Sequence, residues 1–191
     1  MPLPDSGPRE PLHLRLAVLG LLDEAGHGER DLQHVLQVVV RGVAFLERRV
    51  LAAVEGGSRF HTVPVHHGDF YPVGGFTLEF FGDLHQEIHR SFPLIQNCGV
   101  MVDDRLYYPG DSYTQPDRAV EILACPASAP WLKIGDVMDF IAAIKPARSF
   151  ATHNALLSDF GHTLNNGRIK LVTEQGGGEF TYLQVGDALD I

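Results

Sequence analysis

The sequence predicts an α/β or α+β sandwich, and three observations predict it. Downstream of Phe60, short runs rich in Val, Ile, Phe and Tyr alternate with Gly, Pro and Asp turns, the pattern of strands joined by tight loops. Two stretches within that region read as helices instead. Upstream, from Leu12 to about Gly57, apolar residues recur at spacings of three and four.

Residues 1–11 carry Pro2, Pro4, Pro8 and Pro11 and read as a loose tail, because proline neither continues a helix nor pairs in a sheet. Residues 12–57 read as a helical segment: a Leu-rich stretch over 12–22, a break at Gly26-His27-Gly28, and a longer run to Val54. Asp31 is placed to cap that run and Gly56-Gly57 to stop it. Leu32, Val35, Leu36, Val39, Val43, Leu46, Val50 and Val54 give it one apolar face, although Val38-Val39-Val40 is equally suited to a strand. In the third region, 58–191, strands are expected at 61–65, Phe76–Phe81, Gly99–Val102, Leu106–Tyr108 and 121–124. A helix fits Ile134–Ile144, ended by Lys145-Pro146; a strand over 149–152, a second helix over 154–165 and a closing strand over 180–185 follow.

Composition bounds the function classes. With 191 residues and 45% hydrophobic content, the chain is long enough to bury a core without disulfides or a structural metal. Fifteen Lys and Arg against 24 Asp and Glu leave a net charge of −9, which argues against a general binder of nucleic acid or of anionic membranes. The longest apolar stretch near the N-terminus, residues 16–22, is far short of the roughly 20 residues a membrane helix needs. It is followed by Asp23-Glu24 rather than by a cleavage site, so a cytoplasmic protein with reduced thiols is expected. Cys98 and Cys125 both fall in strand-like apolar runs, the setting of an inert buried thiol.

The chemistry lies with histidine. Of 10 His, seven fall between His61 and His162. Three segments put a metal-ligand side chain just past an apolar strand, where a sheet holds it rigid and a loop exposes it: Gly82-Asp83-Leu84-His85, Pro109-Gly110-Asp111-Ser112 and Ala151-Thr152-His153. Imidazole and carboxylate so placed suit zinc, iron or manganese.

Taken together, the motifs resemble the C-terminal half of the metallo-β-lactamase superfamily, in the branch of metal-dependent hydrolases related to ascorbate-6-phosphate lactonase. The resemblance rests on His66-His67-Gly68-Asp69 leading to Val73-Gly74-Gly75-Phe76, on Gly82-Asp83-Leu84-His85-Gln86-Glu87-Ile88-His89, on Asn97-Cys98-Gly99-Val100 and on Tyr108-Pro109-Gly110-Asp111-Ser112. It continues through Ser128-Ala129-Pro130-Trp131-Leu132-Lys133 and Thr152-His153-Asn154-Ala155-Leu156-Leu157-Ser158. It implies a partial αββα sandwich. By position, His85 matches a ligand of a first metal, Asp111 the aspartate bridging two metals, and His153 a ligand of the second. His89 matches a histidine of the substrate pocket, catalytic together with Asp111, while Trp131 and Lys133 line its entrance. The reaction implied is metal-assisted hydrolysis, in which a hydroxide held between two divalent ions, zinc first, attacks the carbonyl or phosphoryl centre of a small lactone, ester or phosphoester.

The family's first metal motif, His-x-His-x-Asp-His, has no counterpart in the chain. The resemblance therefore implies a member truncated in its N-terminal half, whose activity the missing ligands put in question. The alternative is a non-catalytic, degenerate half-domain that folds by self-association. His27, Asp31 and His34 offer a different spacing, with His27 and His34 the candidate replacement ligands. Residues 12–57 are thus a remnant, the product of a shifted reading frame, or a new element laid over the sheet. Half of a two-sheet sandwich would bare an apolar face, which the stripe from Leu32 to Val54 and a second copy of the chain would cover. The partners expected are a small-molecule substrate and a further copy of the chain, with no nucleic acid and no membrane.

Overall fold

The computed structural model of the chain describes residues 65–73, 76–184 and 187–189. Its strands are β1 (Phe70–Val73), β2 (Phe76–Phe81), β3 (Gly99–Val102), β4 (Leu106–Tyr108), β5 (Ile122–Pro126), β6 (Arg148–Thr152) and β7 (Glu179–Thr181). They form one seven-stranded sheet in sequence order. β1 to β4 are antiparallel neighbours; β4 to β7 are parallel neighbours. Helix α1 (Ile134–Ile144) links β5 to β6 and α2 (Asp159–Gln175) links β6 to β7.

The centre of the sheet follows from composition. Gly99–Val102, Leu106–Tyr108 and Ile122–Pro126 are buried at every position, as near-continuous apolar runs should be when both faces are covered. The period of two sorts their side chains. Phe81, Met101, Tyr107, Leu123, Cys125 and Ala151 face one way and pack on Val137, Phe140 and Ile141 of α1 and on Ile169 and Val172 of α2. Leu78, Phe80, Val100, Val102, Leu106, Tyr108, Ile122, Ala124 and Phe150 face the other way and are also buried, joined by Leu183 and, partly, by Val65, Phe76 and Leu189. Among the described residues neither helix contributes to this second cluster. The stripe from Leu32 to Val54, expected to cover it, lies outside them, as do the tail at 1–11 and the whole segment 12–57.

Several boundaries differ from expectation for identifiable reasons. Of the strand expected at 61–65 only Val65 is described, and it is not in a strand. Among the described residues the first strand is instead β1, hidden in the sequence because Pro72 argues against a strand; it is tolerated at the edge, where its missing N–H costs no ladder bond. β5 and β6 are offset by a residue or two from the expected 121–124 and 149–152. α2 begins at Asp159 rather than Asn154, because the Ser158 side chain accepts from the Gly161 N–H and caps it there. It also runs on to Gln175 through Asn165-Asn166-Gly167, poor helix formers that look like an end. Tertiary contact carries it across: Ile169 and Val172 pack on the sheet and Thr173 Oγ1 bonds Ser149 Oγ at 2.7 Å. The closing strand is shorter than 180–185, spanning Glu179–Thr181.

Candidate metal centre

β2, β4, β5 and β6 run in one direction, so their C-terminal ends share one edge of the sheet. The loops leaving those ends carry His85, Asp111, Trp131 and His153, the place where open sheets with parallel strands present functional groups. The connection from β4 to β5 joins parallel neighbours and must cross back over this edge, and Asp111 sits at its start.

Asp111 is the centre of the arrangement and is 3% exposed. His85 Nε2 stands 3.8 Å from its Oδ2 and His153 Nε2 stands 2.8 Å from its Oδ1. Both imidazoles are oriented by backbone carbonyls: His85 Nδ1 by that of Gln86, His153 Nδ1 by that of Ser128. A carbonyl oxygen only accepts, so each Nδ1 carries its proton, and in the neutral ring each Nε2 presents a lone pair toward the carboxylate. The hydrogen bond to Asp111 raises the His153 pKa above its ordinary value against the opposing effect of burial. His153 has φ of 52°, left-handed backbone that a residue with a Cβ adopts at a cost of about 1–2 kcal/mol. The strained turn directly after β6 brings the ring back to Asp111.

Trp131, 9% exposed, stands edge-on to both imidazoles, 5.9 Å from the His85 ring and 6.5 Å from that of His153. Tyr113 backs it at 5.2 Å. The structure thus brings together four of the residues singled out in the sequence: His85, Asp111, His153 and Trp131. It does not bring His89 or Lys133 to them. His89 is exposed with Nδ1 2.7 Å from Ser91 Oγ, and Lys133 stands before α1, its ammonium 3.4 Å from Asp136. His27 and His34 lie outside the described residues.

Does this set fit a divalent cation? In kind it does. Asp111 Oδ1 is buried with His153 Nε2 at 2.8 Å; when that ring is neutral, with its proton on Nδ1, the anionic oxygen has no donor among the described residues, and burial penalises it unless a cation compensates it. Two imidazoles, each fixed by a backbone carbonyl with its proton on Nδ1, converge on that carboxylate. In number it falls short: among the described residues no group of three or more His, Cys, Asp or Glu stands close enough together to hold an ion.

Sequence reasoning gave no role to three residues that build the site. Gln86 and Ser128 act through backbone oxygen, which leaves no trace in composition. Asn97, 2% exposed, accepts the Asp111 N–H on its side-chain oxygen; its signal was a polar residue opening an apolar strand. Burial, with Asp83 and Asp69 nearby, pushes the Cys98 thiol pKa up to about 11, and burial alone pushes that of Cys125 higher still. Among the described residues no helix is long and apolar enough to cross a membrane.

No family model matches the chain. A relative, Protein Rv0786c of Mycobacterium tuberculosis, is 36% identical over 114 residues, which cover 57% of this chain and 54% of its own. The chain therefore spans about half the length of that relative. Igni18, a novel metallo hydrolase from the archaeon Ignicoccus hospitalis, superposes with a TM-score of 0.52 at 12% identity, over 83% of this chain and 73% of its own. CmlA, a diiron β-hydroxylase from Streptomyces venezuelae, does so with a TM-score of 0.50 at 11% identity, over 68% of this chain and 34% of its own. At such identities the likeness is one of fold alone, and over its described residues the chain has, in part, the metallo-β-lactamase fold.

Proposed function

We propose that the chain is a divalent-metal-dependent hydrolase of small lactones, esters or phosphoesters, with His85, Asp111 and His153 as metal ligands. One observation carries this reading: a buried carboxylate faced by two imidazole nitrogens, at 2.8 and 3.8 Å, whose far sides are pinned by backbone carbonyls. Zinc, manganese and iron all accept such a donor set, and zinc is the first choice. Among the described residues these three do not by themselves close around an ion, so the reading calls on donors from beyond them to complete the centre. His27 and His34 are the candidates within this chain, and a second copy is the candidate outside it. A bound divalent cation supplies Lewis-acid polarisation and activates water for attack.

The protein's own part is positional. Asp111 holds negative charge at a fixed buried point, and the left-handed turn at His153 fixes one imidazole against it. Trp131 walls the donors from solvent on one side. His89, turned to Ser91, and Lys133, facing Asp136, are given no part in it.

Trp131 is the chain's single tryptophan and touches both imidazoles, so it reports on the site. Titration of the full chain with Co2+ is expected to quench its fluorescence to saturation, and Asp111→Ala to abolish the quenching. Hydrolysis of lactone, ester and phosphoester panels should then require the same ion and vanish in the same variant. Full quenching in Asp111→Ala would sink the ligand assignment.

A further inference from the structure

We propose that Asn97 is a positioning residue that sets the separation of His85 and Asp111; this rests on the metal reading above. Asn97 stands just before β3 and is 2% exposed. Its backbone N–H donates to the Asp83 carbonyl at 3.2 Å, in the loop that carries His85. Its side chain reaches the other loop: Oδ1 accepts the Asp111 N–H at 2.8 Å and Nδ2 donates to the Pro109 carbonyl at 3.0 Å. A carboxamide of this length does both at once. Aspartate keeps the acceptor and loses the donor, and alanine loses both.

From the other side, Gln86 N–H donates to the Asp111 carbonyl at 2.8 Å, and the Gln86 carbonyl takes the Nδ1 proton of His85. The links form a closed circuit through Asn97, Asp111, Gln86 and His85, returning by way of Asp83. Within it, the Asn97 side chain is the link that mutation can cut without removing a metal donor, since the others are backbone groups or His85 itself. A cation shared by an imidazole and a carboxylate tolerates shifts of only about 0.2 Å in its ligand distances. Loss of the clamp frees the turn from Pro109 to Asp111 and costs affinity even if the fold survives.

The test titrates Co2+ and Zn2+ into the metal-free full chain, following Trp131 fluorescence and calorimetric heat, beside thermal unfolding of each variant. Asn97→Ala and Asn97→Asp are expected to bind about 10- to 100-fold more weakly, the range for a lost partner that orients a ligand. Thr173→Val, which breaks the buried bond to Ser149 at the opposite edge of the sheet, is expected to lower stability and leave affinity unchanged. Asn97→Asp keeps the shape of the side chain and is the variant to read if Asn97→Ala does not fold. Unchanged affinity in a folded Asn97 variant overturns the positioning role and leaves the metal reading standing. So does an affinity loss that Thr173→Val reproduces. A wild-type chain that takes up neither ion overturns the metal reading and this inference with it.

Discussion

Position 99 has no room for a methyl group. A Cβ there would overlap the Tyr107 hydroxyl and stand 3.0 Å from Pro109 Cα. Neither neighbour withdraws cheaply: Tyr107 is 0% exposed with its O–H donating to the Thr114 carbonyl at 2.8 Å, and Pro109 opens the turn that carries Asp111. Gly99→Ala is therefore expected to cost about 1–3 kcal/mol, as overpacking does, measured by equilibrium urea unfolding. A variant as stable as the wild type would show that β3 and the 109–114 loop slide apart freely. The same neighbourhood shows what a sequence reveals at this scale. His85, Asp111 and His153 were legible because donor side chains followed apolar strands and glycine turns. The circuit around them was not, since backbone oxygens of Gln86 and Ser128 and one buried amide carry it. Nor does spacing tell that His89, four residues past His85, turns to Ser91 instead.

Among the elements, the parallel strands are stapled at the edge away from the site. Arg105 before β4, Glu121 before β5 and Arg148 at the start of β6 meet there, with Glu121 accepting from Arg105 at 2.6 and 2.7 Å and from Arg148 at 3.1 Å. Arg105 first, and then Arg148, hold the Glu121 carboxyl below its usual value of 4.5, against a smaller opposing effect of burial. A carboxyl whose folded-state pKa is depressed contributes stability above its unfolded pKa and loses it as pH falls through the folded one. Glu121→Gln should thus lower the melting temperature at neutral pH, by no more than about 1 kcal/mol of stability given how much solvent screens the group. The gap to wild type should close as pH falls through the depressed folded-state pKa, below which the wild-type carboxylate is also neutral. A gap independent of pH would assign the loss to geometry instead of charge. Strands such as β2 to β4 were legible because alternation or continuous apolar character matched their burial. β1 was missed because pairing with β2, rather than its own composition, makes it a strand: Phe70 is 59% exposed and Pro72 sits within it. α2 was cut short because Asn165-Asn166-Gly167 is locally a stop signal that contact with the sheet overrides.

For the molecule as a whole, the donors matter as a cross-link. His85, Asp111 and His153 follow β2, β4 and β6, so an ion bound to all three would tie together segments from the antiparallel half and the parallel half of the sheet. The unfolded chain holds no such convergence, and an ion that binds only the folded form stabilises it by mass action, by about 2.7 kcal/mol at a concentration 100 times its Kd. For a domain of this size each kcal/mol shifts the melting temperature by roughly 2–4 °C, so Zn2+ at that concentration should raise it by about 5–10 °C. The rise should disappear on chelation and be absent in Asp111→Ala. It should also shrink as pH falls, because protons compete for the imidazoles that the ion needs neutral. A melting temperature that Zn2+ leaves unmoved, while Co2+ still quenches Trp131 to saturation, would mean that the ion rests on one loop and does not bridge the sheet. In that case the buried Asp111 oxygen is served by His153 alone, and the loops of His85 and Asp111 are held together by the circuit through Asn97.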